Sequence, residues 1–96
     1  MSKDYLKFYI DDWLLPYETS NRCFMVSWVK RAIEVETYVP LNSDEVLRRL
    51  LKPNSTVAIK TEDGLEVVSF KAQNIKIMES TSTLNEPIHV KICYWE

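Results

Sequence analysis

The sequence predicts an α+β domain: a strongly bent antiparallel β-sheet, or a partly closed small barrel of about six strands, packed with one short helix. Three observations predict it. Asp63-Gly64 lies between two runs rich in β-branched residues and holds the single glycine of the chain, which marks a hairpin. Apolar and polar residues alternate over residues 5–10 and again over residues 88–94, marking strands near both ends. Between them, residues 42–53 contain one helix start and one helix stop.

In the first stretch Leu6, Phe8 and Ile10 face a core, while Tyr5, Lys7 and Tyr9 face away. Asp11, Asp12, Trp13 and Leu14 continue that strand less regularly, and Pro16 puts its end at a sheet edge or in a loop. Thr19, Ser20 and Asn21 form the next turn. Residues 23–39 fit two templates. Helical spacing joins Met25, Trp28, Val29, Ala32 and Ile33; strand spacing joins Cys23, Met25, Val29, Ile33, Val35 and Val39, with Phe24, Val26 and Trp28 opposite. The density of β-favouring residues, and the lack of glycine or proline before Pro40, favour one long strand bent or bulged near Lys30 and Arg31.

Asn42 is placed to cap a helix whose third residue, Glu45, can reach back to the cap, with Leu41 stapling onto Val46. Val46, Leu47, Leu50 and Leu51 share one face, and Pro53 ends the helix. Asp44 to Arg48 and Glu45 to Arg49 are both spaced for ion pairing along it. The hairpin has two registers. A two-residue Asp63-Gly64 turn pairs Ile59 with Val68 and Val57 with Phe70, and is preferred because Phe70 gains an apolar partner. A three-residue Glu62-Asp63-Gly64 loop with a glycine bulge pairs Ile59 with Val67 and Lys60 with Glu66 instead. A short strand over residues 74–78 turns Ile75 and Ile77 inward, and the last strand turns Ile88, Val90, Ile92 and Tyr94 inward.

Ninety-six residues, 46% apolar and 27% charged, make one domain over residues 1–96. A formal charge of -2 disfavours nucleic acid as a partner, since phosphate binding needs clustered Lys and Arg. No apolar run reaches the roughly 20 residues of a membrane span, and no signal-peptide core follows Met1, which together predict a cytoplasmic protein with no membrane contact. Cys23 and Cys93 stand in apolar contexts without metal-ligand spacing, as reduced core thiols do.

Chemistry-bearing patterns are sparse. His89, the single histidine, stands beside Lys91 on the outward face of the last strand, where a solvated surface residue is expected. Cys93 is four residues further on, roughly 13 Å along a strand, too far to pair with it. Glu34 and Glu36 share a strand face and suit cross-strand lysines better than a metal. One glycine leaves no Gly-rich phosphate loop, so no cofactor, metal or catalytic residue is expected. What stands out is aromatic residues where alternation cannot bury them, Tyr17 among them. Tyr and Trp favour interfaces because they bury large area and keep a polar tip, although the rims of a small barrel would use them too. The interface candidates are Tyr5, Tyr9, Trp13, Trp28, Lys30, Arg31, Tyr38 and Trp95.

These features favour a small non-catalytic binding or regulatory protein of the accessory or inhibitor type. It would act through protein contacts and form a homodimer through an exposed edge strand. A nucleic-acid-binding β-barrel using Trp28, Lys30 and Arg31 is the second reading. An enzyme with a site assembled from dispersed carboxylates is the third.

Overall fold

A computed structural model describes residues 6–16, 21–27, 29–40, 44–81, 84 and 86–96. The elements run β1 (Lys7–Ile10), β2 (Trp13–Leu14), β3 (Arg22–Ser27), β4 (Ala32–Val39), α1 (Asp44–Leu50), β5 (Ser55–Lys60), β6 (Glu66–Ala72), β7 (Asn74–Thr81) and β8 (Ile88–Trp95). The strands form two four-stranded antiparallel sheets, in the orders β2-β1-β5-β6 and β3-β4-β8-β7. The α+β class holds, with more strands than the sequence suggested and no closed barrel. The chain passes between the sheets three times, from β2 to β3, from β4 through α1 to β5, and from β6 to β7 at Gln73.

Alternation explains the core. Phe8, Ile10, Val57, Ile59, Val68 and Phe70 point inward from the first sheet; Ile33, Val35, Val39, Val90, Ile92 and Tyr94 point inward from the second. Leu50 is the fully buried residue of α1, with Val46, Leu47 and Leu51 packed beside it, as the helical spacing predicted. The proposed cap, Leu41 and Asn42, lies outside the described residues. Tyr94 joins all three layers. Its ring lies 5.2 Å from that of Phe8 on the first sheet, and its hydroxyl donates a 2.6 Å hydrogen bond to the carbonyl of Leu50. That carbonyl belongs to the last turn of a helix, where no intrahelical donor remains.

Four expectations need correction. Residues 23–39 are a hairpin and not one bent strand: Cys23 pairs with Val35 and Met25 with Ile33, so these four side chains share one side of the sheet. The reversal occurs at Val29, Lys30 and Arg31, where the Lys30 amide donates to Ser27 Oγ at 3.4 Å. Asp11 and Asp12 do not continue β1. They are the two loop residues of a tight hairpin that pairs Ile10 with Trp13, with φ of 52° and 66° in the left-handed region that Asp tolerates better than most residues.

The third correction concerns the Gly64 hairpin, which uses both registers. Its tip is the three-residue loop, with the Gly64 amide bonded to the Thr61 carbonyl at 2.9 Å, Gly64 at φ 92°, and Lys60 paired with Glu66. Its body has Ile59 opposite Val68 and Val57 opposite Phe70, and a bulge at Val67 absorbs the difference. Fourth, Ile77 is not buried. It sits opposite Ile92 but is 43% exposed, because β7 is the edge of its sheet.

Asp11 fastens the β1–β2 turn to the region after the helix. Its amide donates to the Thr56 carbonyl at 2.8 Å, its carboxylate accepts the Thr56 amide at 2.9 Å, and Lys52 Nζ reaches it at 3.2 Å. The Thr56 hydrogen bond is the main cause holding this carboxyl below its ordinary value; burial opposes it, and Lys52 and Ser55 add to the lowering.

Two predictions follow from these contacts. Tyr94→Phe leaves the buried Leu50 carbonyl without its donor and should cost about 1 to 3 kcal/mol, read as a lower urea midpoint at unchanged m. For Asp11, a depressed folded pKa means stability that is present above the unfolded value of about 3.9 and lost as the pH falls through the lower folded value. Asp11→Asn, which keeps the turn but not the charge, should therefore lose less stability than the wild type between about pH 5 and pH 2. At pH 7 Asp11→Ala should be the less stable of the two variants, since alanine fits φ 52° poorly.

Candidate functional site

The outer face of the second sheet carries the largest ordered set of polar and aromatic side chains. Burial of Ile33, Val35, Thr37 and Val39 turns Glu34, Glu36 and Tyr38 outward on β4; burial of Val90, Ile92 and Tyr94 turns His89, Lys91, Cys93 and Trp95 outward on β8. Register arranges them in rows. Thr81, His89 and Tyr38 form one; Glu79, Lys91, Glu36 and Arg22 the next; Lys76, Cys93, Glu34 and Phe24 a third; Asn74, Trp95, Ala32 and Ser27 the last.

Two pairs of charged groups on this face are engaged with one another. His89 Nε2 meets Glu36 Oε2 at 2.6 Å across a diagonal, with side chains only 20% and 27% exposed, and the Tyr38 ring lies 4.9 Å from the imidazole. Lys91 Nζ is 3.8 Å from Glu79. Arg22, Lys76 and Lys91 are matched in number by Glu34, Glu36 and Glu79, so the face has no excess of either sign. Phe24 and Tyr38, in the rows on either side of Glu36, remain 43% and 41% exposed.

This corrects the reading of His89 as a solvated residue. It is half-buried and held by a carboxylate and an aromatic ring. The arrangement is a cross-strand clamp between β4 and β8. Cys93 lies two rows away, and burial, with the negative charge of Glu34 second, pushes its thiol above the ordinary value. Cys23 donates to the Leu6 carbonyl at 3.6 Å and is pushed up to about 11 by burial. Both cysteines are unpaired and only partly buried. Among the described residues no three His, Cys, Asp or Glu side chains are grouped to hold a metal ion.

The eight interface candidates do not converge on one place. Tyr38 and Trp95 lie on the outer face of the second sheet, at opposite ends. Lys30 and Arg31 are exposed in the β3–β4 turn, which adjoins Trp95 because the Arg31 carbonyl accepts the Glu96 amide at 3.0 Å. Tyr9 and Trp13 belong to the first sheet, where Lys60 Nζ lies 4.6 Å from the Tyr9 ring and the Arg49 guanidinium 5.0 Å from the Trp13 ring. Tyr5 and Trp28 lie outside the described residues, as does Tyr17. Phe24, Glu36 and His89 were not among the candidates. The signal for Phe24 was its place opposite Cys23 and Met25; the signal for the Glu36–His89 pair was the outward phase of both strands, which locates them on one face once β4 and β8 are known to pair.

Compared with family models, with curated proteins and with solved structures, this chain matches none.

Proposed function

We propose that this protein is a small non-catalytic binding or regulatory protein whose partner is another protein, met by the outer face of the second sheet. The observation that carries this reading is the pairing of two features on one sheet face that no described element packs against. Phe24 and Tyr38 are exposed there as large apolar anchors, and between them Glu36 is bonded to His89 and Lys91 approaches Glu79. Aromatic anchors surrounded by satisfied polar groups are what a protein interface concentrates, and prepaired charges lower the cost of removing water from the face. The interface residues are Phe24, Tyr38 and Trp95, with Arg22 and Lys76 at the margins.

Self-association fits the same face better than it fits an edge. Three of the four edge strands, β3, β6 and β7, each carry one unpaired residue, Val26, Val67 and Met78, and the fourth, β2, is two residues long; bulges and short edges work against the edge-strand dimer that the sequence suggested. Nucleic-acid binding has less support, because the lysines and arginines are divided among the two outer faces and the helix. No helix among the described residues is long and apolar enough to cross a membrane. We place the protein in the cytoplasm on its two unpaired thiols, which suit a reducing compartment.

The test compares the full tagged chain, the double variant Phe24→Ala/Tyr38→Ala and a control on the other sheet, Tyr9→Ala/Lys60→Ala. Cross-linked capture from the host, with light scattering to read self-association, should show one protein retained by wild type and control. The face variant should lose that protein by about tenfold or more, with unchanged circular dichroism. Equal capture and equal mass for all three would overturn the proposal.

A further inference from the structure

We infer that the groove between α1 and the β1–β2 turn binds a small anionic molecule with an apolar ring, its carboxylate or phosphate held by Arg48. The groove shares no residue with the outer face of the second sheet and does not depend on that face having a partner. Its cavity of about 630 Å³ is within the range that small-molecule sites occupy. Ile10, Leu51 and Pro53 give it an apolar lining, suited to one face of a ring.

Three cations and two carboxylates edge that lining, and their engagement differs. Arg49 is committed twice, to Glu45 at 3.0 Å and to the Trp13 ring at 5.0 Å. Lys52 is committed to Asp11 at 3.2 Å, and Asp11 is in turn bound to the Thr56 amide. Arg48 has no acidic partner among the described residues, although helical spacing offered it Asp44. The two carboxylates are therefore spent on Arg49 and Lys52, and one guanidinium remains at the mouth of an apolar cavity. Guanidinium binds carboxylate and phosphate through two parallel hydrogen bonds, so the group that completes this site is a planar or tetrahedral anion and not a second cation. A ring carrying that anion would use the lining and the charge together.

The anchoring of the site supports recognition of a defined shape. Leu50 fixes the helix in the core, and the left-handed Asp11-Asp12 turn is tied to Thr56, so the opposite walls are held by separate buried or bonded contacts.

Amide chemical-shift titration of the full chain tests this with three probes that share a ring: phenyl phosphate, benzoate and the uncharged benzyl alcohol. Both anions should shift the amides of Asp11, Arg48, Leu51 and Lys52, and the tighter of the two identifies the preferred group. Arg48→Ala, a change on the exposed side of the helix, should weaken the anions by about tenfold or more while leaving the remaining spectrum in place. Lys71→Ala, on the outer face of the first sheet, should leave binding unchanged. Equal binding by Arg48→Ala and wild type, equal binding of benzyl alcohol, or shifts mapped outside the groove would each overturn the inference.

Discussion

The fold depends on one buried phenol. Tyr94 has no exposed surface, and burial raises the pKa of its hydroxyl, so it stays protonated and can only donate to, or accept from, what it touches. What it touches is the Leu50 carbonyl, at the end of a seven-residue helix too short to persist alone. The helix is therefore held by the sheet, through Leu50 in the core and Tyr94 at its last turn. The same ring meets Phe8 of the other sheet. A single side chain thus touches both the other sheet and the end of the helix within the shared core.

The edges of the sheets follow a second rule. Each of β3, β6 and β7 inserts one residue with no partner, and in each case that residue is apolar and at least 44% exposed: Val26 at 45%, Val67 at 44% and Met78 at 50%. A bulge disrupts the ladder and increases the local twist, which denies a flat template to another strand. It also lets the strand reset its phase, so that Met25 and Ser27, or Ile77 and Glu79, meet the alternation of their neighbours on both sides of the interruption. The apolar side chains at the bulges are thus a product of edge geometry. Phe24 and Tyr38 differ from them, since they sit in regular pairing on β3 and β4, and their exposure reflects a face that no described element packs against.

Much of this was legible in the sequence because it rests on local rules. The 3.6-residue period placed Leu50 in the core, strand alternation placed Val90, Ile92 and Tyr94, and the lone glycine located the β5–β6 turn. What escaped was reversal without glycine. Residues 29–31 turn the chain using Val, Lys and Arg, none of them a usual turn residue, and Asp11-Asp12 turn it in the left-handed region without the glycine that usually follows Asp there. Both reversals are stabilised by contacts distant in sequence, Glu96 to Arg31 and Thr56 to Asp11. The bulge at Val67 escaped for a related reason: a preference for either register could not foresee that loop chemistry would decide the tip while Phe70 decided the body. The candidate face was hidden until then, because Glu36 and His89 are separated by 53 positions in the chain.

The two proposed surfaces are also mechanically separate, and the buried phenol is the reason. The groove beside Arg48 moves with α1, and the outer face of the second sheet moves with β4 and β8. Coupling them would require an element with two alternative seats that both ligands could bias. Between them stand Leu50 and Tyr94, both fully buried and joined by a short hydrogen bond, which hold the helix in one seat. Occupation of the groove should therefore leave affinity at the sheet face unchanged, and substitutions at Arg48 and at Tyr38 should add without interaction, as distant sites with no shared partner do. A device built to relay one signal into another would place its movable part at that junction. This chain places there a fully buried tyrosine bonded to the end of the helix, which argues that the two proposed surfaces act independently.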